Sequence, residues 1–235
     1  MNTSNHDPSR KMDHMYRHAR HIYNATRKYY LLGRDTLLDH IAQHPADHIL
    51  EIGCGTARNL IGLASKLPHA HLFGLDASTE MLKTATKSVH RAGHTEHIVL
   101  RQGLAEHLDP AQTFGLTTSF DTIFFSYSLS MMPAWPRALD AALQILKPNG
   151  RLYIVDFWDQ ADLPKWFSKL LTQWLTRFNV IYHPELLDHL NSLAQHHEIS
   201  LSITPFGHRY AFIVEARKHL KSEGHHTCIP QVSSR

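Results

Sequence analysis

The segment Glu51-Ile52-Gly53-Cys54-Gly55 sets a carboxylate two residues ahead of a Gly-x-Gly turn. Glycine carries no Cβ, so such a turn lets backbone approach a ligand closely, and the amides that open the next helix favour anionic groups. Asp76 stands 25 residues after Glu51, at the end of the next apolar run. A carboxylate there can accept protons from both hydroxyls of a ribose. Together these residues describe a site for a nucleoside-containing molecule, whereas the two glycines alone describe an ordinary tight turn equally well. Cys54 reads as a small packing residue, because its position supplies no partner histidine that would make it a nucleophile.

Residues with these tasks need alternating strands and helices to hold them. Short apolar runs at 48–52, 71–75, 98–100, 120–125 and 151–155 read as five strands. Between them, Leu60, Leu63, Ala64 and Leu67 form one helix face, and Met81, Leu82, Ala85 and Val89 another, capped by Ser78 or Thr79. A further helix is expected over 135–146, and Pro148-Asn149-Gly150 reads as a tight turn before the fifth strand. Alternation of this kind implies a parallel sheet covered on both faces. Two helices then follow, over 163–178 and 184–195, and two strands, over 199–204 and 210–215. The turn Pro205-Phe206-Gly207-His208 between those strands is too short for a parallel crossover, so the sheet is expected to end in an antiparallel hairpin. The fold class is therefore α/β: three layers, Rossmann-like, with a seven-stranded, mostly parallel sheet. In domain terms, residues 1–12 read as disordered and 13–217 as one domain. That domain divides into a helical cap (13–45), a cofactor-binding core (46–158) and substrate-side helices with the hairpin (159–217), before a polar tail over 218–235.

A chain of 235 residues with 43% apolar residues can bury a substantial core, and no apolar stretch reaches the roughly 20 residues of a bilayer-spanning helix. The polar start MNTSNHDPSR lacks the apolar core of a secretory signal, and two cysteines cannot build a disulfide framework, so cytoplasm is the expected compartment. A net charge of +3 with histidines neutral gives little sign of a nucleic-acid partner. The 21 histidines invite a metal reading. His14, His18 and His21 can share a helix face, and His69 and His71 a strand face, but neither set brings the Cys or carboxylate partners of a known motif, so no metal is expected.

Three features distinguish S-adenosylmethionine from a dinucleotide as the nucleoside ligand. Glu51 lies where methyltransferases of this fold commonly carry an acid, the loop GCGTAR lacks the third glycine of a dinucleotide fingerprint, and the sheet is expected to end in the hairpin typical of seven-strand methyltransferases. In such enzymes the loop Gln102-Gly103-Leu104-Ala105-Glu106 lies beside the adenine, and Ser126 and Tyr127 lie near the methyl group. The segments MYRHARHIYNATRKYYLLGRD (15–35), EIGCGT with Arg58-Asn59, and FSYSLSM (125–131) resemble the BtaB-type betaine-lipid methyltransferases, over most of residues 13–158. Asn24 departs from an expected Asp, and Ala57 from a common Gly.

The resemblance implies S-adenosylmethionine-dependent trimethylation of the amine of diacylglycerylhomoserine to a betaine lipid, paired with a separate enzyme that makes the homoserine lipid. It places Tyr16, Tyr23, Arg27, Glu51, Gly53, Cys54, Gly55, Asn59, Asp76, Ala77, Met81, Gly103, Leu104, Ala105, Ser126 and Tyr127 at the cofactor. Tyr23, Tyr30, Tyr127 and Asp156 are the candidate catalytic residues. An amine must be neutral to attack a sulfonium methyl in line, so alignment dominates, aromatic faces attract the cations and a hydroxyl or histidine can pass protons to water. Each N-terminal tyrosine reads equally as helix packing, Asp156 equally as a structural cap, and Met131 and Met132 as helix core. Arg20, Arg27, Lys28 and Arg34 can recognise a carboxylate or anionic head groups, or simply solvate a helix face. The helix over 163–178, with Trp166 and Trp174 among cations, reads either as a peripheral contact with a membrane surface or as a core helix or lid.

The alternatives are a phosphatidylethanolamine or small-molecule N- or O-methyltransferase, an NAD-dependent oxidoreductase, and a non-catalytic binding subunit of the same fold. The oxidoreductase lacks a well-placed Tyr-x-x-x-Lys. A nucleic-acid methyltransferase would want Asn/Asp-Pro-Pro-aromatic after the fourth strand, where this chain reads Ser126-Tyr127-Ser128-Leu129.

Overall fold

The computed structural model describes residues 31–176, 180–196 and 199–219. What the sequence leads one to expect of residues 1–30, including Tyr16, Tyr23, Arg27 and Tyr30, and of residues 220–235 lies outside the described residues.

The described chain runs α1 (Arg34–Ala42), β1 (His48–Ile52), α2 (Arg58–Lys66), β2 (His71–Asp76), α3 (Thr79–Arg91), β3 (Ile98–Gln102), a 3-10 turn (Ala105–His107), α4 (Pro110–Phe114), β4 (Phe120–Ser126) and a second 3-10 turn (Leu129–Met131). It continues through α5 (Trp135–Gln144), β5 (Leu146–Phe157), α6 (Lys165–Thr176), α7 (Glu185–Gln195), β6 (Ile199–Phe206) and β7 (Ala211–Lys218). The seven strands form one sheet in the order β3-β2-β1-β4-β5-β7-β6. All neighbours are parallel except that β7 runs antiparallel to both β5 and β6. This is the expected three-layer architecture.

Strand residues alternate between two cores because successive side chains leave a strand on opposite faces. On β5, Tyr153, Val155 and Phe157 join one cluster with residues of α1, α2, α3 and α6, while Leu152 and Ile154 join the other with residues of α5 and α7. With both faces covered, the inner strands read as nearly unbroken apolar runs. Leu37, Leu38 and Ile41 seat α1 in the first cluster, and Ala138, Leu139, Ala142 and Leu143 seat α5 in the second.

Several local expectations are corrected. Residues 31–33 are not helical: Gly33 takes φ +79, in the left-handed region, and α1 begins only after it. Arg34, expected to recognise a carboxylate or anionic head groups or else to solvate a helix face, is buried and donates from Nε to the carbonyl of Leu31 at 3.3 Å. The turn at Pro148-Asn149-Gly150 is a bulge inside a longer strand, since Phe120 pairs with Leu146 and Thr122 with Arg151, with Asn149 at φ 62. Residues 105–114, where no helix was expected, hold the first 3-10 turn and α4, whose N-cap Asp109 accepts from the amide of Gln112 at 2.8 Å. The turn of the final hairpin falls one to two residues later than expected, with Gly207, His208 and Arg209 all at positive φ.

The chain reverses its direction of travel across the sheet between β1 and β4, since β2 and β3 lie to one side and β4 and β5 to the other. Ligands of open α/β sheets bind outside the carboxyl ends of strands at such a point. The packing beneath it tolerates no extra volume at Gly74. A Cβ there would lie 2.7 Å from Leu100 Cδ2, 2.8 Å from Leu60 Cδ1 and 2.9 Å from Cys54 Sγ. Gly74→Ala is expected to lower stability by roughly 1–3 kcal/mol, as overpacking does, measured by urea denaturation.

Candidate functional site

The loop after β1 and the loop after β4 meet at the reversal point. Gly53 takes φ +77, and a Cβ on it would lie 2.5 Å from Ser128 Cβ. Glycine is thus required there both by conformation and by space. Ser128 Oγ donates to the carbonyl of Ile52 at 2.9 Å, tying the two loops together. The amides of Gly53 and Cys54 both donate to the carbonyl of Leu75, at 2.8 and 3.0 Å, which sets the loop over the end of β2. Asp76 completes the frame: Oδ2 accepts from the Gly55 amide at 2.7 Å and Oδ1 from the Ser78 amide at 2.9 Å. Ser78 then caps α3, accepting from the Met81 amide at 3.3 Å.

Between these loops lies a cavity of about 260 Å³. Of the residues expected at the cofactor, Gly53, Gly55, Asp76, Ala77, Met81, Gly103, Leu104, Ala105 and Tyr127 line it. The described lining does not include Glu51, Cys54, Asn59 or Ser126. Glu51 is 1% exposed and accepts from Asn59 Nδ2 at 2.7 Å, so this pair braces the glycine loop from behind, between β1 and the first turn of α2. Ser126 is buried in β4, paired in register with Val155. Cys54 is buried as a packing residue; burial pushes its thiol well up, and the nearby carboxylates of Asp76 and Glu51 push it further. Ala57, where the sequence departs from a common Gly, adopts φ 60 and N-caps α2.

Two candidate catalytic residues are corrected in role. Asp156 does not line the cavity. It is 2% exposed, accepts from the Ser130 amide at 3.0 Å and the Phe157 amide at 2.8 Å, and so fastens the second 3-10 turn to β5. Burial raises its carboxyl from 3.8 to about 6 against the pull of those hydrogen bonds. Tyr127 lines the cavity, but its hydroxyl donates to the carbonyl of Leu32 at 2.6 Å. Burial, with Tyr210 and Asp156 nearby, raises its phenol well above the usual range, so it is a neutral donor rather than a base. Its φ of 54 is a strained value for an aromatic residue, held by its backbone N–H, which donates to the carbonyl of Val155 at 2.8 Å, and by edge-on packing against Phe157 with ring centroids 4.7 Å apart.

Met131 and Met132, expected in a helix core, line the cavity instead, with Ser128, Pro133 and Ala134. The signal was present in the sequence: these residues follow β4, whose carboxyl end faces the crevice. Glu106, at the end of the loop expected beside the adenine, also lines it, as does Arg137, which was not anticipated. The walls suit S-adenosylmethionine in kind: a carboxylate beside two backbone-lined glycines for a ribose, and apolar residues at Met81, Leu104 and Ala105 for a flat base. Among the described residues no group of three His, Cys, Asp or Glu is placed to hold a metal ion.

A seven-stranded Rossmann-like sheet with its cleft at the β1/β4 reversal defines a broad class of nucleoside-binding enzymes. Residues 43–225 match the family described as Methyltransferase domain. The chain belongs to that family. It is 32% identical over 128 residues to the demethylmenaquinone methyltransferase of Lactiplantibacillus plantarum, which covers 54% of this chain and 51% of the relative. The chain spans about half the length of the curated relatives it matches. Among solved structures, the plantazolicin methyltransferase BpumL, in complex with a monoazolic desmethylPZN analog and SAH, superposes with a TM-score of 0.66 at 15% identity, covering 90% of this chain and 96% of that one. The [4+2]-cyclase SpnF superposes with a TM-score of 0.69 at 16% identity and the same coverage, so the fold is shared with chemistry of another kind.

Two outcomes follow from this geometry. Gly53→Ala is expected to cost at least about 2 kcal/mol and to abolish nucleoside binding, because the new methyl displaces Ser128 and opens the joint between the loops; calorimetry and thermal denaturation read both. The Asp156 carboxyl is raised in the folded state to about 6 from 3.8. Its contribution to stability is therefore complete below about pH 4 and is lost as pH rises through 6. Urea denaturation of wild type and Asp156→Asn is expected to show a stability difference that moves against the wild type as pH rises from about 4 to 6, then stays level; a difference independent of pH would contradict the burial of this charge.

Proposed function

We propose that this protein transfers methyl groups from S-adenosylmethionine to the amine of a lipid head group, with diacylglycerylhomoserine as acceptor and its trimethylated betaine as product. The observation that carries the donor half is Asp76, which lines the cavity at the end of β2 while fixing the amides of Gly55 and Ser78. A carboxylate at the end of the second strand of such a sheet can accept protons from ribose hydroxyls. When bound, S-adenosylmethionine supplies an electrophilic methyl group on a sulfonium sulfur. Ala77, Met81, Leu104 and Ala105 would enclose the adenine, and Gly53 and Gly55 would border the amino-acid moiety.

The acceptor side falls to Tyr127, Ser128, Met131 and Met132, at the carboxyl end of β4. These residues can align a nitrogen and exclude water. Tyr127 offers the edge of the cavity an aromatic ring whose hydroxyl is engaged elsewhere, which suits attraction of a cation better than removal of a proton. The acceptor amine must arrive neutral. The betaine-lipid acceptor rests on the resemblance of residues 15–35 and 125–131. A second reading, methylation of a demethylmenaquinone, is favoured by the 32% identity to an enzyme of that name. Both acceptors join a small polar head to long apolar chains.

Purified protein with labelled S-adenosylmethionine and diacylglycerylhomoserine in detergent micelles is expected to give mono-, di- and trimethylated lipid by mass spectrometry. Label in demethylmenaquinone alone would overturn the amine acceptor and establish the second reading. Asp76→Ala is expected to weaken donor binding by about a hundredfold in calorimetry, the loss of charged hydrogen bonds. Unchanged binding would remove Asp76 from the site.

A further inference from the structure

α6 packs against the sheet through Leu171, Trp174 and Leu175. Its opposite side is open. Trp166 is 71% exposed and Leu170 60%, and Phe167 stands beside Trp166 with ring centroids 5.8 Å apart. Trp166 and Leu170 lie one helical turn apart, and Lys165 and Lys169 form a parallel row next to them. The helix KWFSKLLTQWLT contains no carboxylate. No helix among the described residues is long and apolar enough to cross a membrane.

A tryptophan and a leucine flanked by lysines on one helix face match the boundary between lipid head groups and acyl chains. The apolar rings enter, and the lysine stems reach back to phosphates. We propose that this face of α6 seats the protein on an anionic phospholipid surface. A second copy of the chain fits less well, because a twofold contact brings the same lysines of both copies together without an acid between them. Closer to the cleft, Ile181 is 59% exposed and its amide donates to the carbonyl of Ser130 at 2.9 Å. Ser130 belongs to the same 3-10 turn as Met131, which lines the cavity. Seating on lipid would bring the protein to an apolar-tailed acceptor, a consequence that rests on the proposed function.

The test is co-sedimentation of the full chain with vesicles of phosphatidylglycerol and phosphatidylcholine in equal parts, and with phosphatidylcholine alone. Binding is expected to the first, falling with salt, and to be much weaker to the second. Trp166→Ser with Leu170→Ser is expected to weaken it about tenfold or more, and Lys165→Gln with Lys169→Gln roughly thirtyfold. Lys66→Gln, on α2, is expected to bind as the wild type does. A wild type that stays in solution, or variants that bind equally well, would overturn the proposal. So would a wild-type dimer that Trp166→Ser with Leu170→Ser converts to monomer. Donor binding by calorimetry, retained in both double variants, separates failure of this surface from failure of the methyltransferase reading.

Discussion

Asp76 answers a need of the backbone before it answers any ligand. The chain leaving β1 presents the Gly55 amide, and the chain leaving β2 toward α3 presents another at Ser78. One carboxylate takes both. The glycine loop is therefore held down by the same side chain that faces the cavity, and the start of α3, with Ala77 and Met81 on its cleft side, is set by it as well. Remove that acceptor and the three walls of the nucleoside half lose their common reference. Glu51 and Asn59 join β1 to the first turn of α2 through a hydrogen bond of 2.7 Å.

The nucleoside half was legible because it is built from local order. Strand, glycine turn and capped helix follow one another within a few residues, so Gly53, Gly55 and Asp76 could be placed from spacing, and Ala77 and Met81 from the resemblance. The acceptor half was not, because its geometry is set across the chain. Tyr127 finds the carbonyl of Leu32, 95 residues away in sequence, and Asp156 finds the amide of Ser130, 26 residues away. A buried acid at a strand end looks the same in sequence whether it meets a substrate or a backbone amide. Met131 and Met132 mislead for a related reason: apolar residues after a strand read as core, yet the short 3-10 turn there leaves them at the rim of the cavity. Glycine at 33 is similar, since helical periodicity on both sides conceals a left-handed break.

The two halves also differ in rigidity. Around the nucleoside, hydrogen bonds of 2.7–3.0 Å link three separate loops. Around the acceptor, the walls are methionine, proline and alanine. Methionine adapts its shape readily, which allows one donor site to serve acceptors of different outline. The [4+2]-cyclase SpnF, which shares the fold, shows that the sheet itself does not dictate methyl transfer.

The position of β7 has a consequence for how the molecule is made. Although β6 precedes it in the chain, β7 is the strand that sits against β5, with β6 outside it. During synthesis β5 is finished long before its neighbour exists. Its open edge, from Arg151 to Phe157 and largely apolar, must wait through α6, α7 and β6 before Ala211–Lys218 arrives to cover it. An uncovered strand edge invites pairing with other chains. The nascent protein thus passes through a stage in which the nucleoside half can already be assembled while the sheet is still open on one side, and that interval is when a chaperone would matter most.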